Sequence, residues 1–130
     1  MLSTLLPFIF VGVGSMAGGI SRYGMTLATQ NLSAFTIPFG TLFSNLVGCL
    51  IIGLIAGIGG KTELLSTEMR LLLATGFCGG FTTMSSFAYE LGQYVQDKEI
   101  FFASSYFVAT LAGAGLAFVL GLLISEFLLR

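Results

Sequence analysis

The sequence predicts an all-α membrane protein of four transmembrane helices with a broken third helix. Three observations carry that prediction. The chain of 130 residues is 55% hydrophobic and only 8% charged, with a mean hydropathy of +0.99, whereas soluble domains are about a quarter charged. Its few charges leave residues 1–21, 23–60, 71–89 and 100–125 uncharged, and a spanning helix needs about 20 apolar residues to cross about 30 Å of hydrocarbon. In the third apolar stretch, Gly76-Phe77-Cys78-Gly79-Gly80 is followed by Thr82, Thr83, Ser85 and Ser86. That run disfavours a continuous helix, because an interior glycine costs about 1 kcal/mol relative to alanine.

The four spans make one domain, 1–130. The first covers about residues 5–28, with Arg22 near its far end. No Lys or Arg precedes Arg22 and no A-x-A site follows the apolar core, so this segment is expected to be a retained helix rather than a cleaved secretory signal. Gln30 to Thr36 form a polar loop, and Pro38 with Gly40 punctuates the start of the second span, about 38–58. Gly59-Gly60-Lys61 opens a loop containing Glu63, Thr67 and Glu68. The third span covers about 69–95, Asp97-Lys98-Glu99 forms the next loop, and the fourth span covers about 101–128. Gly14/Gly18, Gly53/Gly57 and Gly76/Gly80 are GxxxG pairs, which let helices approach closely in lipid.

Four spans put both termini and the Lys61 loop on one side. Lys61, Arg70 and Arg130 lie there, against Arg22 and Lys98 on the other. So small a difference barely specifies orientation. Two oppositely inserted copies forming a dimer are therefore expected, the alternative being a single orientation chosen by insertion helpers. Cys49 and Cys78 both fall within spans and form neither a CxxC pair nor a disulfide framework, so they read as small packing residues. With no His and no acidic cluster, side chains of the usual kinds supply no metal-ligand set. No nucleophile–base pairing suggests an enzyme, no GxxxxGK[ST] run suggests coupling to ATP, and no nucleic-acid partner is expected.

The residues suited to chemistry lie around the glycine-rich run. A broken membrane helix exposes backbone groups, whose carbonyls can hold a cation while helix N-termini face anions. Hydroxyl donors after the break can each replace one water around a small anion. Phe87 adds a ring with an electropositive edge, and Met84, three residues earlier, shares its helix face. Asn45 is a lone amide in an apolar stretch. Its NH2 group can serve an anion or an interhelical hydrogen bond, the latter worth about 0.6 kcal/mol in membranes. Arg22 and Glu90 lie near span ends, where snorkelling suffices to explain them. Arg22 is a candidate for concentrating anions at a vestibule, and Glu90 receives no role.

Three runs carry a family resemblance: Gly18-Gly19-Ile20-Ser21-Arg22, Gly40-Thr41-Leu42-Phe43-Ser44-Asn45-Leu46, and Thr75-Gly76-Phe77-Cys78-Gly79-Gly80-Phe81-Thr82-Thr83-Met84-Ser85-Ser86-Phe87. They resemble the signatures of the Fluc/CrcB fluoride channels, and length and layout match over the whole chain. The resemblance implies an antiparallel, dual-topology homodimer in the cell membrane that exports fluoride passively through two pores. It implies a structural sodium ion at the dimer centre, held by the backbone carbonyls of Gly79 and Thr82. It places the pore asparagine on Asn45, the two pore phenylalanine positions on Met84 and Phe87, and the polar track on Ser85 and Ser86. Thr110 would continue the pore lining on the fourth helix, with Arg22 at the vestibule. The pattern departs at Met84, where the family has phenylalanine, at Ala88, at Ala114 in place of a hydroxyl, and at Thr110, where relatives carry a larger polar ring. A small dual-topology multidrug or cation–proton antiporter is the alternative. It requires a membrane-embedded carboxylate, for which Glu90 is the sole candidate. A structural anchor fits the composition but leaves the third-helix run and Asn45 without a purpose.

Overall fold

The computed structural model describes residues 2–32, 37–61 and 64–130. Helix α1 spans Leu2–Thr29 and ends in a 3-10 turn, Gln30–Leu32, and α2 spans Phe39–Lys61. Helix α3, residues 67–81, is an α-helical turn Thr67–Arg70, a π-helical stretch Leu71–Cys78 and a last α turn Gly79–Phe81. Helices α4, Met84–Gln96, and α5, Ile100–Leu128, complete the chain. Among the described residues, four helical stretches are long and apolar enough to cross a membrane, with α3 and α4 together forming the third. The expected loop residues Thr36 and Glu63 lie outside the described residues.

Two expected boundaries shift. Gly59, Gly60 and Lys61 are helical rather than loop, because Arg70 donates from Nη2 to the Gly59 carbonyl at 2.9 Å and from Nε to the Leu65 carbonyl at 3.3 Å. A cation thereby satisfies a carbonyl in the last turn of α2, where the helix dipole favours positive charge. Thr67 and Glu68 open α3 instead of lying in the loop, because Ser66 is its N-cap and accepts from the Met69 N–H at 3.2 Å. Between α4 and α5 the chain reverses through Lys98, at φ 60°. The Lys98 and Glu99 N–H groups return to the Val95 and Tyr94 carbonyls at 3.2 and 2.8 Å, closing a Schellman cap.

The glycine pairs form two seams. Along α1 and α3, a Cβ on Gly14 would overlap the Leu72 carbonyl oxygen and one on Gly18 the Phe77 carbonyl oxygen. From the other side, a Cβ on Gly76 would lie 2.9 Å from the Gly14 Cα, and one on Gly80 would overlap the Ser15 carbonyl oxygen. Along α2 and α5, Gly53 meets the Phe118 carbonyl, Gly57 meets the Ser125 hydroxyl, and Gly121 meets the Leu50 carbonyl. Lipid tails give apolar helices no reason to associate, so close backbone approach and dispersion must hold these pairs. The outer faces carry exposed apolar groups such as Phe8, Phe101 and Phe127, as a lipid-facing surface requires.

The third-helix break is not where glycine propensity puts it. Helix continues through Gly79 and Gly80, and the chain leaves it at Thr82 (φ −81°, ψ 156°) and Thr83 (φ −150°, ψ 112°). Gly76 and Gly80 serve approach to α1 rather than unwinding. The extended pair Thr82-Thr83 is the break, and Thr83 is the N-cap of α4.

Candidate functional site at the third-helix break

The break leaves the N–H and carbonyl of Thr83 without helical partners, and one side chain takes up both. Asn45, in the middle of α2, accepts the Thr83 N–H on Oδ1 at 2.8 Å and donates from Nδ2 to the Thr83 carbonyl at 3.3 Å. The Thr83 hydroxyl oxygen accepts the Ser86 N–H at 3.1 Å, donates to the Ser86 hydroxyl at 3.0 Å and lies 3.2 Å from the Ser85 hydroxyl. Thr82 returns both its N–H and its hydroxyl to the Cys78 carbonyl, each at 2.9 Å. The break is thus an extended two-residue step clamped from one side by α2 and capped from the other by its own threonines.

Beside it is a cavity of about 190 Å³ between α2, the break, α4 and α5. Asn45, Met84, Phe87 and Thr110 all line it, with Thr82 and Thr83. Four of the expected pore residues therefore meet in one place. Ser85 and Ser86 do not line this cavity; their hydroxyls turn to Thr83. Met84 and Phe87 share a helix face but differ sharply in setting. Phe87 is 4% exposed, with its ring tilted against that of Tyr106 at 5.2 Å, whereas Met84 is 68% exposed. Thr110 is 4% exposed, and its hydroxyl has no hydrogen-bond partner among the described residues. Such a group is costly unless something in the cavity meets it.

A second cavity of about 180 Å³ opens where α1 ends, lined by Thr26, Thr29, Thr41 and Glu90 among others. Glu90 is held there by two hydroxyls, with Oε1 accepting from Thr41 and Oε2 from Tyr106, each at 2.6 Å. Thr41 is one turn from Asn45 and Glu90 one turn from Phe87, so the two cavities share a wall across α2 and α4. Arg22 is half-buried and donates from Nε to the Gly80 carbonyl at 3.3 Å.

The sequence missed Thr83 as the hub and the Thr41–Glu90–Tyr106 network. The first had a readable signal, since a threonine immediately before Met84-Ser85-Ser86 has the N-cap pattern. The second joins residues 49 and 16 positions apart, which no local pattern reports.

The Gly79 and Thr82 carbonyls suit a monovalent cation. The Thr83 N–H, which would close a helical turn on Gly79, goes to Asn45, and the Ser86 N–H, which would close one on Thr82, goes to the Thr83 hydroxyl. Carbonyls freed at a helix break are the usual sodium ligands of membrane proteins. The residues present therefore fit such an ion.

Comparison with known sequences matches residues 9–122 to the family described as "CrcB-like protein, Camphor Resistance (CrcB)". A protein of Prosthecochloris aestuarii named fluoride-specific ion channel FluC is 43% identical over 118 residues, 91% of each chain. The protein of that name from Chlorobaculum tepidum is 48% identical over 109 residues, 84% of this chain and 85% of its own. That of Francisella tularensis is 40% identical over 120 residues, 89% and 92% respectively.

Proposed function

The chain belongs to the CrcB family, and from that premise we propose that it is a fluoride-specific ion channel, a multi-pass membrane protein and not an enzyme. The observation that carries the reading is the cavity at the break, whose lining includes Asn45, Thr83 and Thr110 and no carboxylate. Selectivity follows from a narrow, fixed set of donors suited to a small, strongly hydrated anion. Transport is passive. Hydrogen fluoride crosses bilayers neutral and ionises inside, and an inside-negative potential drives the anion out by about 2.3 kcal/mol per 100 mV per charge.

In this reading Asn45, Met84, Phe87 and Thr110 line the route, with Ser85 and Ser86 as donors presented through Thr83. Asn45 has one amide hydrogen left for the ion after its two bonds to Thr83, since the NH2 group carries two. Two antiparallel copies form the working unit. The near balance of charges and the apolar outer faces support that arrangement. A sodium ion at the centre of the dimer would neutralise the converging carbonyls. On this chain, Gly79 and Thr82 would hold it. The antiporter alternative finds no support, because its required carboxylate, Glu90, already accepts hydrogen bonds from two hydroxyls.

Expression in bacteria lacking their own fluoride exporters tests the function. Growth restored in millimolar fluoride is the expected result. Unrelieved sensitivity, with the protein present in the membrane, overturns it.

A further inference from the structure

The side-chain geometry of Arg22 points to a role that its charge does not. Gly14, Gly18 and Arg22 recur at four-residue spacing on one face of α1. The two glycines bring that face into backbone contact with α3 at Leu72 and Phe77. One turn further on, the same closeness delivers the Arg22 Nε–H to the Gly80 carbonyl at 3.3 Å. Gly80 lies in the last turn before the break, where carbonyls lose their helical donors and the helix dipole is negative. It lies beside Gly79 and two positions before Thr82.

We infer that Arg22 is a positioning residue: its Nε–H fixes the end of α3, and with it the Thr82-Thr83 step on which the proposed channel depends. The inference rests on the proposed function for its consequence, not for its geometry. The bond comes from Nε, the fourth side-chain atom counted from Cβ, rather than from the tip of the guanidinium. Glutamine carries its amide nitrogen at that same atom, without charge. Lysine keeps the charge but places a methylene there. A vestibule charge and a positioning donor therefore make opposite demands on the side chain.

The test compares Arg22→Gln and Arg22→Lys with the parent, using fluoride efflux from liposomes and amide hydrogen exchange of the segment 79–86 in the purified protein. Arg22→Gln is expected to stay within about threefold of parental efflux, with parental exchange in that segment. Arg22→Lys is expected to lose about tenfold in efflux and to exchange faster in that segment alone. Should Arg22→Lys not fold, Arg22→Met, isosteric with glutamine but with no donor, takes its place with the same expectation. The reverse order, equal loss in both variants, or parental behaviour in both overturns the inference. If the parent itself moves no fluoride, the proposed function fails, and the exchange comparison still decides the role of Arg22.

Discussion

Asn45 pairs with both sides of Thr83, accepting its N–H at 2.8 Å and donating to its carbonyl at 3.3 Å. The amide does for an extended residue what a neighbouring strand would do, and so stabilises a step in the middle of a membrane helix without water. The sequence left Asn45 divided between anion ligand and interhelical bond. The structure gives it the second role, while its place in the cavity wall keeps the first open through its remaining hydrogen.

Asn45→Asp should therefore damage the channel more than its isosteric shape suggests. The Thr83 carbonyl loses its donor, and a negative charge enters the cavity. Each buried group left unpaired costs about 1–3 kcal/mol. The expected outcome is loss of fluoride efflux together with a lowered thermal midpoint, measured on the purified protein in detergent and in liposomes.

The glycine seams predict a contrast within one helix. Gly18→Ala should separate α1 from α3, because its Cβ would overlap the Phe77 carbonyl oxygen, which cannot retreat. Gly12→Ala meets nothing within 4 Å, and should be neutral or stabilising by up to about 1 kcal/mol through helix propensity. Thermal unfolding of the two variants side by side checks this.

The carboxylate network makes a third prediction. Tyr106→Phe removes the donor to Glu90 Oε2 while keeping the ring against Phe87, and should lower stability by about 1–3 kcal/mol. Glu90→Gln should leave transport independent of an imposed pH gradient. Proton-coupled uptake by the parent, abolished in that variant, would favour the antiporter instead.

At Met84, exposure decides. With 68% of the residue open, Met84→Ala should change stability by less than about 0.5 kcal/mol. Any change in fluoride efflux then reports the side chain's contact with the route or with the second copy. An alanine variant that conducts like the parent would show that the thioether only fills space.

Much of this was legible in advance. Charge spacing gave the four spans, and the GxxxG pairs gave close helix packing though not which helices pair, because in lipid small residues are what helix interfaces select. The break was displaced because glycine propensity does not distinguish a glycine that unwinds a helix from one that lets another backbone approach. Gly80 is the second kind. The cap at Thr83 was the better marker. Phe87 and Met84 looked equivalent by spacing, and the rings of Tyr106 and Phe107, reaching in from α5, separate a buried position from an open one. Glu90 stayed without a role since its partners come from two other helices.

The central claim is that this small broken-helix membrane protein passes fluoride and refuses larger halides. Purified protein in liposomes loaded with equal fluoride and chloride, followed with ion-selective electrodes under a potassium diffusion potential, tests it most directly. Rapid fluoride release with chloride retained is the predicted result. Chloride leaving as fast as fluoride would contradict it.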